Sequence, residues 1–317
     1  MKWKPIVVGV DDSPEARLAL ALAWKIAEPA GADVVAVHAV PDLWLASGLE
    51  EMPLVTPEVL EVLVRDSRTH IERLLADVLP RSARPRLDVR TGPAALALGD
   101  VARQRRAELV VIGGREHGAL ARGLGRSTAH YLVRTLDVPL LVARPGTGAV
   151  NRVLVAVDVS SASIPAIKAA ERLAQLLRAQ VRILHVVEPL RLLYLPVAEL
   201  DQQAFEQRAR DAFERLLAPL APLVREDRVV RTGPVAETIA QEAIAWHADL
   251  LVLGSHGKGW IDRLLMGSTT ERLLTFLPAS VLVVPAGAVP KRATARRAGT
   301  VQRRPRSKAR RKGKPRA

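Results

Sequence analysis

Short apolar runs alternate with longer amphipathic segments along most of this chain. Within the first 146 residues the apolar runs have the length of strands, and they occupy positions 6–10, 34–40, 87–90, 109–112 and 140–142. Runs that stay apolar at successive positions are typical of strands that are covered on both faces. They therefore predict the strands of a buried parallel sheet.

Amphipathic segments between these runs predict four helices. Ser13 followed by Pro14 indicates the start of the first, at 16–27, because serine caps helices and proline suits their first turn. The others are predicted at 58–79, 96–106 and 127–136, and the second of the four places five apolar residues on one stripe: Val59, Leu63, Ile71, Leu74 and Val78. Strand–helix alternation with right-handed crossovers predicts an α/β fold with helices on both faces of a five-stranded parallel sheet.

The whole pattern occurs twice. Asp11 and His38 recur 147 residues later as Asp158 and His185, and Gly113 recurs 141 residues later as Gly254. A period of this length indicates a duplicated domain rather than a solenoid. We therefore predict two tandem Rossmann-like domains, residues 1–146 (the first half) and 150–287 (the second half), joined by the turn-rich stretch 144–149.

Charge is concentrated in residues 288–317, the tail. The chain has 47 Lys and Arg against 33 Asp and Glu, a formal net charge of +14, and the tail holds thirteen of the basic residues and no acidic one. The rest of the chain is therefore close to neutral. The tail has few large apolar residues, so we expect it to be disordered and to bind DNA or RNA without sequence specificity through counterion release. Indiscriminate contact with acidic partners, ribosomes or anionic lipid is the alternative.

Two absences exclude several classes of protein. The chain has no cysteine, which rules out disulfides, Cys-ligated metals and thiol nucleophiles. No apolar run reaches the length that spans a membrane, and the N-terminal run is too short for a signal peptide. We expect a soluble cytoplasmic protein with no membrane partner, which the tail would associate with the nucleoid.

The loop after the fourth strand of the second half carries the candidate chemistry. Gly254 and Gly257 allow a close approach to the main chain, and the stretch 268–271 predicts a capping box that opens a helix. Free amides and the positive end of the helix dipole meet there, and both favour anions. The pattern predicts a phosphate site, with an ordinary glycine-rich turn before a helix as the alternative.

This loop resembles the nucleotide-binding motif of the universal stress proteins, Gly-x2-Gly-x9-Gly-Ser/Thr. The matching residues are Gly254, Gly257, Gly267 and Ser268, and the likeness extends to Asp158 after the first strand and to His185 and Val186 in the second. It covers both halves. The resemblance implies the adenine nucleotide alpha hydrolase-like form of the Rossmann fold, with ATP and Mg2+ as cofactors.

The resemblance also implies roles for individual residues. Asp158 would contact the ribose or its metal, and the main chain of Val186 would contact the adenine. Gly257, Gly267 and Ser268 would cradle the phosphates, with Thr269 beside them. Family dimers pair their last strands, and here the stretches 138–142 and 279–284 are expected to pair within one chain as an intramolecular pseudo-dimer. Whether two such chains form a homodimer stays open.

The first half departs from the motif at two positions. Gly113 and Ser127 are retained, but Glu116 and Arg126 stand where the second half has Gly257 and Gly267. A carboxylate repels polyphosphate, so we expect ATP binding to be impaired there. One hypothesis is that Glu116 occupies the phosphate position and pairs with Arg126. In the alternative, both side chains face solvent.

Taken together, these patterns predict a regulatory or stress-response protein that binds ATP mainly in its second half. No set of residues in the sequence is typical of a catalytic site. The acidic cluster of a two-metal hydrolase is also missing, so at most slow ATP hydrolysis is expected. The alternative is a nucleic-acid-associated architectural protein in which nucleotide binding is vestigial.

Overall fold

The computed structural model describes residues 3–41, 56–114, 128–189, 202–220, 227–255 and 267–286. Strands and helices alternate through these residues in both halves. The strands are β1 (Ile6–Gly9), β2 (Val34–Val40), β3 (Arg86–Thr91), β4 (Leu109–Gly113), β5 (Leu140–Ala143), β6 (Arg152–Val157), β7 (Gln180–Val187), β8 (Asp227–Thr232), β9 (Leu250–Gly254) and β10 (Ser280–Val284). The α-helices are α1 (Pro14–Ala30), α2 (Pro57–Val78), α3 (Ala94–Arg105), α4 (Thr128–Thr135), α5 (Ile164–Leu177), α6 (Gln202–Leu217), α7 (Val235–Ala245) and α8 (Ser268–Phe276).

The strands form one continuous sheet in the order β3-β2-β1-β4-β5-β10-β9-β6-β7-β8. Neighbours within each half are parallel, as the apolar runs predict, whereas β5 and β10 pair antiparallel. In that pair Leu141 lies opposite Leu282. The two last strands therefore cover each other within the chain, and neither leaves an apolar edge open to solvent.

Apolar side chains cover both faces of this sheet. One face packs against α1, α2, α5 and α6 through residues such as Leu20, Ile71, Ala170 and Phe213. The other face packs against α3, α4, α7 and α8 through residues such as Val101, Leu132, Ile239 and Leu273. Burial on both faces explains why the inner strands are continuously apolar. The edge strands β3 and β8 differ, because they carry charged residues and are only partly buried, so the run at 87–90 is not the continuously apolar strand that the sequence predicts.

A buried serine joins the two halves at the centre of the sheet. Ser280, on β10, is fully buried, and its hydroxyl oxygen accepts a hydrogen bond from the main-chain N–H of Arg144 at 3.0 Å. The hydroxyl of Thr147 lies 2.9 Å from the same oxygen. On one side of the sheet, Lys25 of α1 also hydrogen-bonds to the carbonyl oxygen of Gly148. The connection between the halves is thus held to both of them.

The observed elements match the predicted ones closely, but the apolar stripe of α2 needs a correction. Ser13 caps α1 as predicted, because its hydroxyl accepts from the amide of Ala16 at 3.1 Å. On the predicted stripe of α2, Ile71 and Leu74 are buried, but Val59 is 45% exposed. The helix has 22 residues and spans ~33 Å, whereas the seven residues of β2 span ~23 Å, so its first turns extend beyond the sheet.

Among the described helices, none combines the length and the apolar character that crossing a membrane requires. The expectations for the tail fall on residues 288–317, which lie outside the described residues.

Candidate functional site

One cavity of the second half lies where three strands end. It is formed at the carboxyl ends of β6, β7 and β9, and its volume is about 760 Å³. In parallel sheets ligands bind at this edge. Six of the predicted binding residues line it: Asp158, Val186, Gly254, Gly267, Ser268 and Thr269. The seventh, Gly257, lies outside the described residues.

Two serines hold the carboxylate of Asp158, which directly follows β6. Its Oδ1 accepts hydrogen bonds from the hydroxyl of Ser160 at 2.6 Å and from the hydroxyl of Ser163 at 2.7 Å. The amide of Ser160 donates to the same oxygen at 3.1 Å, and the amide of Asp158 donates to the hydroxyl oxygen of Ser163 at 3.0 Å. These bonds set the orientation of the carboxylate at the cavity wall.

Sequence reasoning missed both serines. The signal that would have found one of them is the repeat itself, because Asp11 and Ser13 of the first half occupy the same positions as Asp158 and Ser160. The same contact occurs there: the amide of Ser13 donates to Oδ1 of Asp11 at 2.9 Å. Ser163 has no such counterpart, since the first half has Ala16 at that position.

Val186 lies on a part of β7 that extends past its neighbour. The last residue of β6, Val157, is paired with His185, so Val186 lies beyond the end of β6 and lines the cavity. His185 is buried, its Nδ1 lies 2.9 Å from the carbonyl oxygen of Val157, and its ring stacks on Phe213 with centroids 5.7 Å apart. His185 therefore anchors the strand end that presents Val186.

The start of α8 faces the same cavity, but it is not the capping box that the sequence predicts. Ser268 is the first helical residue, and the capping position belongs to Gly267, which has no side chain to bond the first amides. The predicted partner, Glu271, donates its main-chain N–H to the carbonyl oxygen of Gly267 at 3.0 Å as an ordinary helical residue. Ser268 and Thr269 therefore bring first-turn amides, without a side-chain cap from Gly267, to the cavity.

Contacts with β9 hold this helix start in place. The buried hydroxyl of Thr270 donates to the carbonyl oxygen of Gly254 at 3.0 Å, and the amide of Gly267 donates to the carbonyl oxygen of Ser255 at 3.2 Å. A Cβ added at Gly267 would come no closer to the described residues than 3.7 Å, which is an ordinary contact distance. The described residues therefore do not themselves require glycine here, whereas a ligand that approaches the main chain would.

Three of the described residues that line the cavity carry a formal charge: Asp158, Glu188 and Arg208. Within the described part of the chain, no group of three or more His, Asp or Glu side chains is arranged to hold a metal ion. Mg2+ is commonly held by one or two carboxylates together with substrate phosphates. Asp158 could supply one such carboxylate beside substrate phosphates, but the described residues do not form a cage of protein ligands alone.

The corresponding cavity of the first half is smaller. Its volume is about 370 Å³, and it lies at the ends of β1, β2 and β4, with Asp11 and Glu15 in its wall. Glu116 and Arg126, the two residues that replace glycines of the motif, lie outside the described residues, as does Ser127. Their proposed pairing and the alternative that both face solvent therefore stay predictions.

The fold and this cavity define a tandem α/β protein of the Rossmann-like class. The chain belongs to the universal stress protein family, since the family's model matches residues 2–144 and 149–285. A universal stress protein of Mycobacterium tuberculosis is 31% identical over 185 residues, which are 56% of this chain and 61% of that protein. The match thus spans less than two thirds of that relative's length.

Two further likenesses extend over most of the chain. A universal stress protein of Mycolicibacterium smegmatis is 26% identical over 291 residues, covering 88% of this chain and 96% of that protein. The solved structure of a universal stress protein from Archaeoglobus fulgidus superposes with a TM-score of 0.66 at 15% identity, covering 90% of this chain and 100% of that one. The predicted fold class and the tandem arrangement are confirmed.

Proposed function

We propose that this protein binds ATP in the second-half cavity and acts as a nucleotide-responsive regulatory or stress protein. One observation supports this above the others. The cavity is lined by the carboxylate of Asp158, which two serines hold, and by the start of α8, whose glycine cap offers no side chain to the first amides. The carboxylate suits a ribose or a hydrated cation, and the helix start suits phosphate.

The size and lining of the cavity agree with a nucleotide. A volume of about 760 Å³ falls within the range of small-molecule sites, and apolar wall residues such as Leu184 and Ile239 suit a base. The main chain of Val186 would contact the adenine, Gly267, Ser268 and Thr269 would hold the phosphates, and Gly254 and Gly257 would complete the loop. Mg2+ would be held by the phosphates together with Asp158.

Calorimetric titration of the full chain with ATP and Mg2+ tests the site, together with mass spectrometry of nucleotide released on heat denaturation. Asp158→Asn and Gly267→Ala should each weaken ATP binding at least tenfold. The Tm of Gly267→Ala should change little, because a Cβ at this position meets the described residues only at ordinary contact distance. Asp11→Asn, at the matching position of the first half, is the control and should leave the affinity unchanged. Absence of ATP binding, or equal effects of Asp158→Asn and Asp11→Asn, would contradict the proposal.

Hydrolysis is expected to be slow. We place no general base at the cavity, and the carboxylate of Asp158 is engaged by Ser160 and Ser163. Turnover should therefore stay well below about 1 per second, the low end of typical enzyme rates. A faster rate that Asp158→Asn abolishes would overturn this expectation.

A second candidate function follows from the charge of the tail. Thirteen basic and no acidic residues in positions 288–317 favour binding of DNA or RNA through their phosphates. The alternative in which the protein is architectural and nucleotide binding is vestigial predicts DNA binding without ATP binding.

Salt titration of DNA binding separates these functions. The full chain should lose affinity steeply as salt rises, and a chain ending at residue 287 should bind weakly at every salt concentration. ATP binding should be the same in both proteins. Retained DNA affinity in the shortened chain would assign nucleic-acid contact to the folded halves instead.

A further inference from the structure

Helix α8 is shared by the two cavities. Its first residues, Ser268, Thr269 and Thr270, line the second-half cavity. Leu274 in its last turn and Leu277 directly after it line the first-half cavity. Every other described residue that lines the first-half cavity comes from the first half, and all those that line the second-half cavity come from the second half. The helix has nine residues and is ~14 Å long, so one short helix connects the walls of two cavities.

The end of α8 packs tightly against the first half. Leu277 is 1% exposed, and a Cβ added at Gly114, directly after β4, would lie 2.6 Å from its Cδ1. The same Cβ would lie 2.7 Å from Cγ1 of Val142 on β5. The side chain of Leu277 therefore fills the space that any larger residue at Gly114 would need.

Leu277 holds this position in a strained main-chain conformation. Its φ angle is 41°, in the left-handed region, where a residue with a Cβ is strained. Its main-chain N–H donates to the carbonyl oxygen of Leu273 at 2.9 Å and closes the last turn of α8. Strain of this kind persists only where the surrounding structure holds it, and here the packing on Gly114 and Val142 does so.

The matching helix of the first half, α4, does not repeat this arrangement. Leu136, at the position that corresponds to Leu277, is buried too, but it is not among the described non-glycine residues with a positive φ angle. Ser255 stands where the first half has Gly114, so a side chain is present at that point of the second half. No described residue of α4 lines the second-half cavity. In the described part of the chain, the connection between the cavities therefore runs through α8 alone.

The start of α8 is fixed to its own half instead. The hydroxyl of Thr270 donates to the carbonyl oxygen of Gly254 at 3.0 Å, and the amide of Gly267 donates to that of Ser255 at 3.2 Å. Between the two ends, hydrogen-bonded turns resist compression and Leu273 is 1% exposed, so the helix moves as one body. A displacement of either end is therefore carried to the other.

We propose that α8 couples the two cavities, so that the first half regulates the nucleotide site of the second half. The coupling rests on the proposed function, because the ligand at the start of α8 is taken to be ATP. ATP that binds the first-turn amides fixes the helix start, and the packing of Leu277 fixes the helix end at the wall of the first-half cavity. Coupling between two sites is reciprocal, so a change at this wall alters the affinity for ATP.

Titration of the full chain with ATP and Mg2+ tests the link from the first half. Gly114→Ala places a Cβ against Leu277 and should weaken ATP binding at least threefold, although Gly114 does not line the second-half cavity. Gly99→Ala is the matched control, because a Cβ there comes no closer than 3.7 Å to the side chain of Arg103, and it should leave the affinity unchanged. Leu277→Ala and Leu136→Ala form a second pair, of which only the first should weaken ATP binding. The Tm of each variant reports its folding.

Hydrogen–deuterium exchange tests the opposite direction and does not require ATP. Thr270→Val removes the hydroxyl that ties the helix start to Gly254, and it should speed amide exchange in the segment 109–114 of the first half at least twofold. Thr275→Val is the control, since the hydroxyl of Thr275 bonds within α8 to the carbonyl oxygen of Glu271, and it should leave this exchange unchanged. In the unaltered chain, ATP should slow the same exchange.

These outcomes separate the coupling from the proposed function. If ATP binds the unaltered chain and Gly114→Ala changes its affinity no more than Gly99→Ala does, the coupling is overturned and the proposed function stands. If ATP fails to bind while Thr270→Val still speeds exchange in the segment 109–114, the proposed function fails and the coupling stands. Unchanged exchange in Thr270→Val overturns the coupling whether or not ATP binds.

Discussion

Neighbouring hydrogen-bond donors hold the carboxylate at the end of β6 in one orientation. At Asp158 this task falls to Ser160 and Ser163, whose hydroxyls lie 2.6 and 2.7 Å from Oδ1. Hydrogen bonds to a charged group contribute more than those between neutral groups. The position of Asp158 at the cavity wall is therefore a property of three residues rather than one.

Ser163→Ala should destabilise the protein and weaken ATP binding. The hydroxyl of this buried serine donates to the carboxylate of Asp158 and accepts from its amide, so its loss leaves both groups without this partner. We expect the free energy of unfolding to fall by about 1–3 kcal/mol, measured by urea denaturation. Ser161→Ala, at an exposed position two residues earlier, should change it by less than ~0.5 kcal/mol. Equal effects would show that the hydrogen bonds of Ser163 do not matter.

Glu242→Gln should be among the more damaging polar substitutions. Glu242 is 8% exposed and contacts two cations, Nη1 of Arg182 at 2.7 Å and Nε of Arg231 at 2.9 Å. Arg182 also lies over the ring of Trp246, 4.6 Å from its centroid, so it cannot move away freely. Removing the carboxylate charge leaves Arg182 with Asp227 as its acidic partner, so we expect the free energy of unfolding to fall by about 2 kcal/mol.

Glu237→Gln is the matched control for this change. Glu237 also contacts an arginine, Arg272 at 2.9 Å, but its side chain is 51% exposed. Exposed ion pairs contribute less than about 1 kcal/mol. In chemical denaturation the free energies of unfolding of the two variants should differ by at least ~1 kcal/mol. Similar losses of stability in both would show that burial does not distinguish the two ion pairs.

At the scale of elements, two helices end on an arginine where glycine is usual. Arg106 after α3 and Arg178 after α5 have φ angles of 53° and 56°, in the left-handed region. The main-chain N–H of Arg178 donates to the carbonyl oxygen of Ala174, which closes the last turn of α5. Residues with a Cβ are strained in this region, whereas glycine is not.

Arg178→Gly should therefore stabilise the protein, by about 0.5–1 kcal/mol after the greater flexibility of glycine in the unfolded chain is allowed for. Arg172→Gly, the same change at an exposed position inside α5, should destabilise it by about 1 kcal/mol. Thermal denaturation of the two variants should show Tm shifts of opposite sign. Shifts of the same sign would contradict the assignment of strain at Arg178.

At the scale of the molecule, the antiparallel pairing of β5 with β10 unites two α/β units into one sheet. The sequence predicted this pairing only through the family resemblance, and the structure confirms it. The helices also cross the joint, because α1 contacts α5 on one face and α4 contacts α8 on the other. Leu274 of α8 and Leu277, directly after this helix, form part of the first-half cavity. The halves are therefore expected to unfold together.

Leu282→Asp tests this coupling. Leu282 is fully buried at the centre of β10, opposite Leu141, and a carboxylate there would be a buried charge next to the joint. Differential scanning calorimetry should show one transition for the unaltered chain and separate transitions, both at lower temperature, for the variant. Phe276→Asp, where the side chain is 74% exposed, should keep the single transition. A single transition at unchanged temperature in Leu282→Asp would show that the joint does not couple the halves.

The order and type of the elements follow from the sequence by itself. Strands covered on both faces must be apolar at nearly every position, and helices must present one apolar stripe, so both leave periodic patterns that are read locally. The duplication is equally visible, because Asp158, His185 and Gly254 repeat residues of the first half at nearly constant spacing. The location of a cavity at the ends of β6, β7 and β9 follows in turn from the parallel topology.

The chemistry of each cavity was decided by the tertiary structure. No local pattern states that Ser163 bonds to Asp158, that α8 begins one residue earlier than the capping pattern predicts, or that Glu15 packs on Gly113. These contacts depend on how far the first turn of one helix lies from the end of a distant strand, and that distance is set by packing across the whole sheet. Two halves with one repeated pattern thus have different cavities, because α1 begins at Pro14 whereas a 3-10 turn precedes α5 in the second half, and different side chains meet the strand ends.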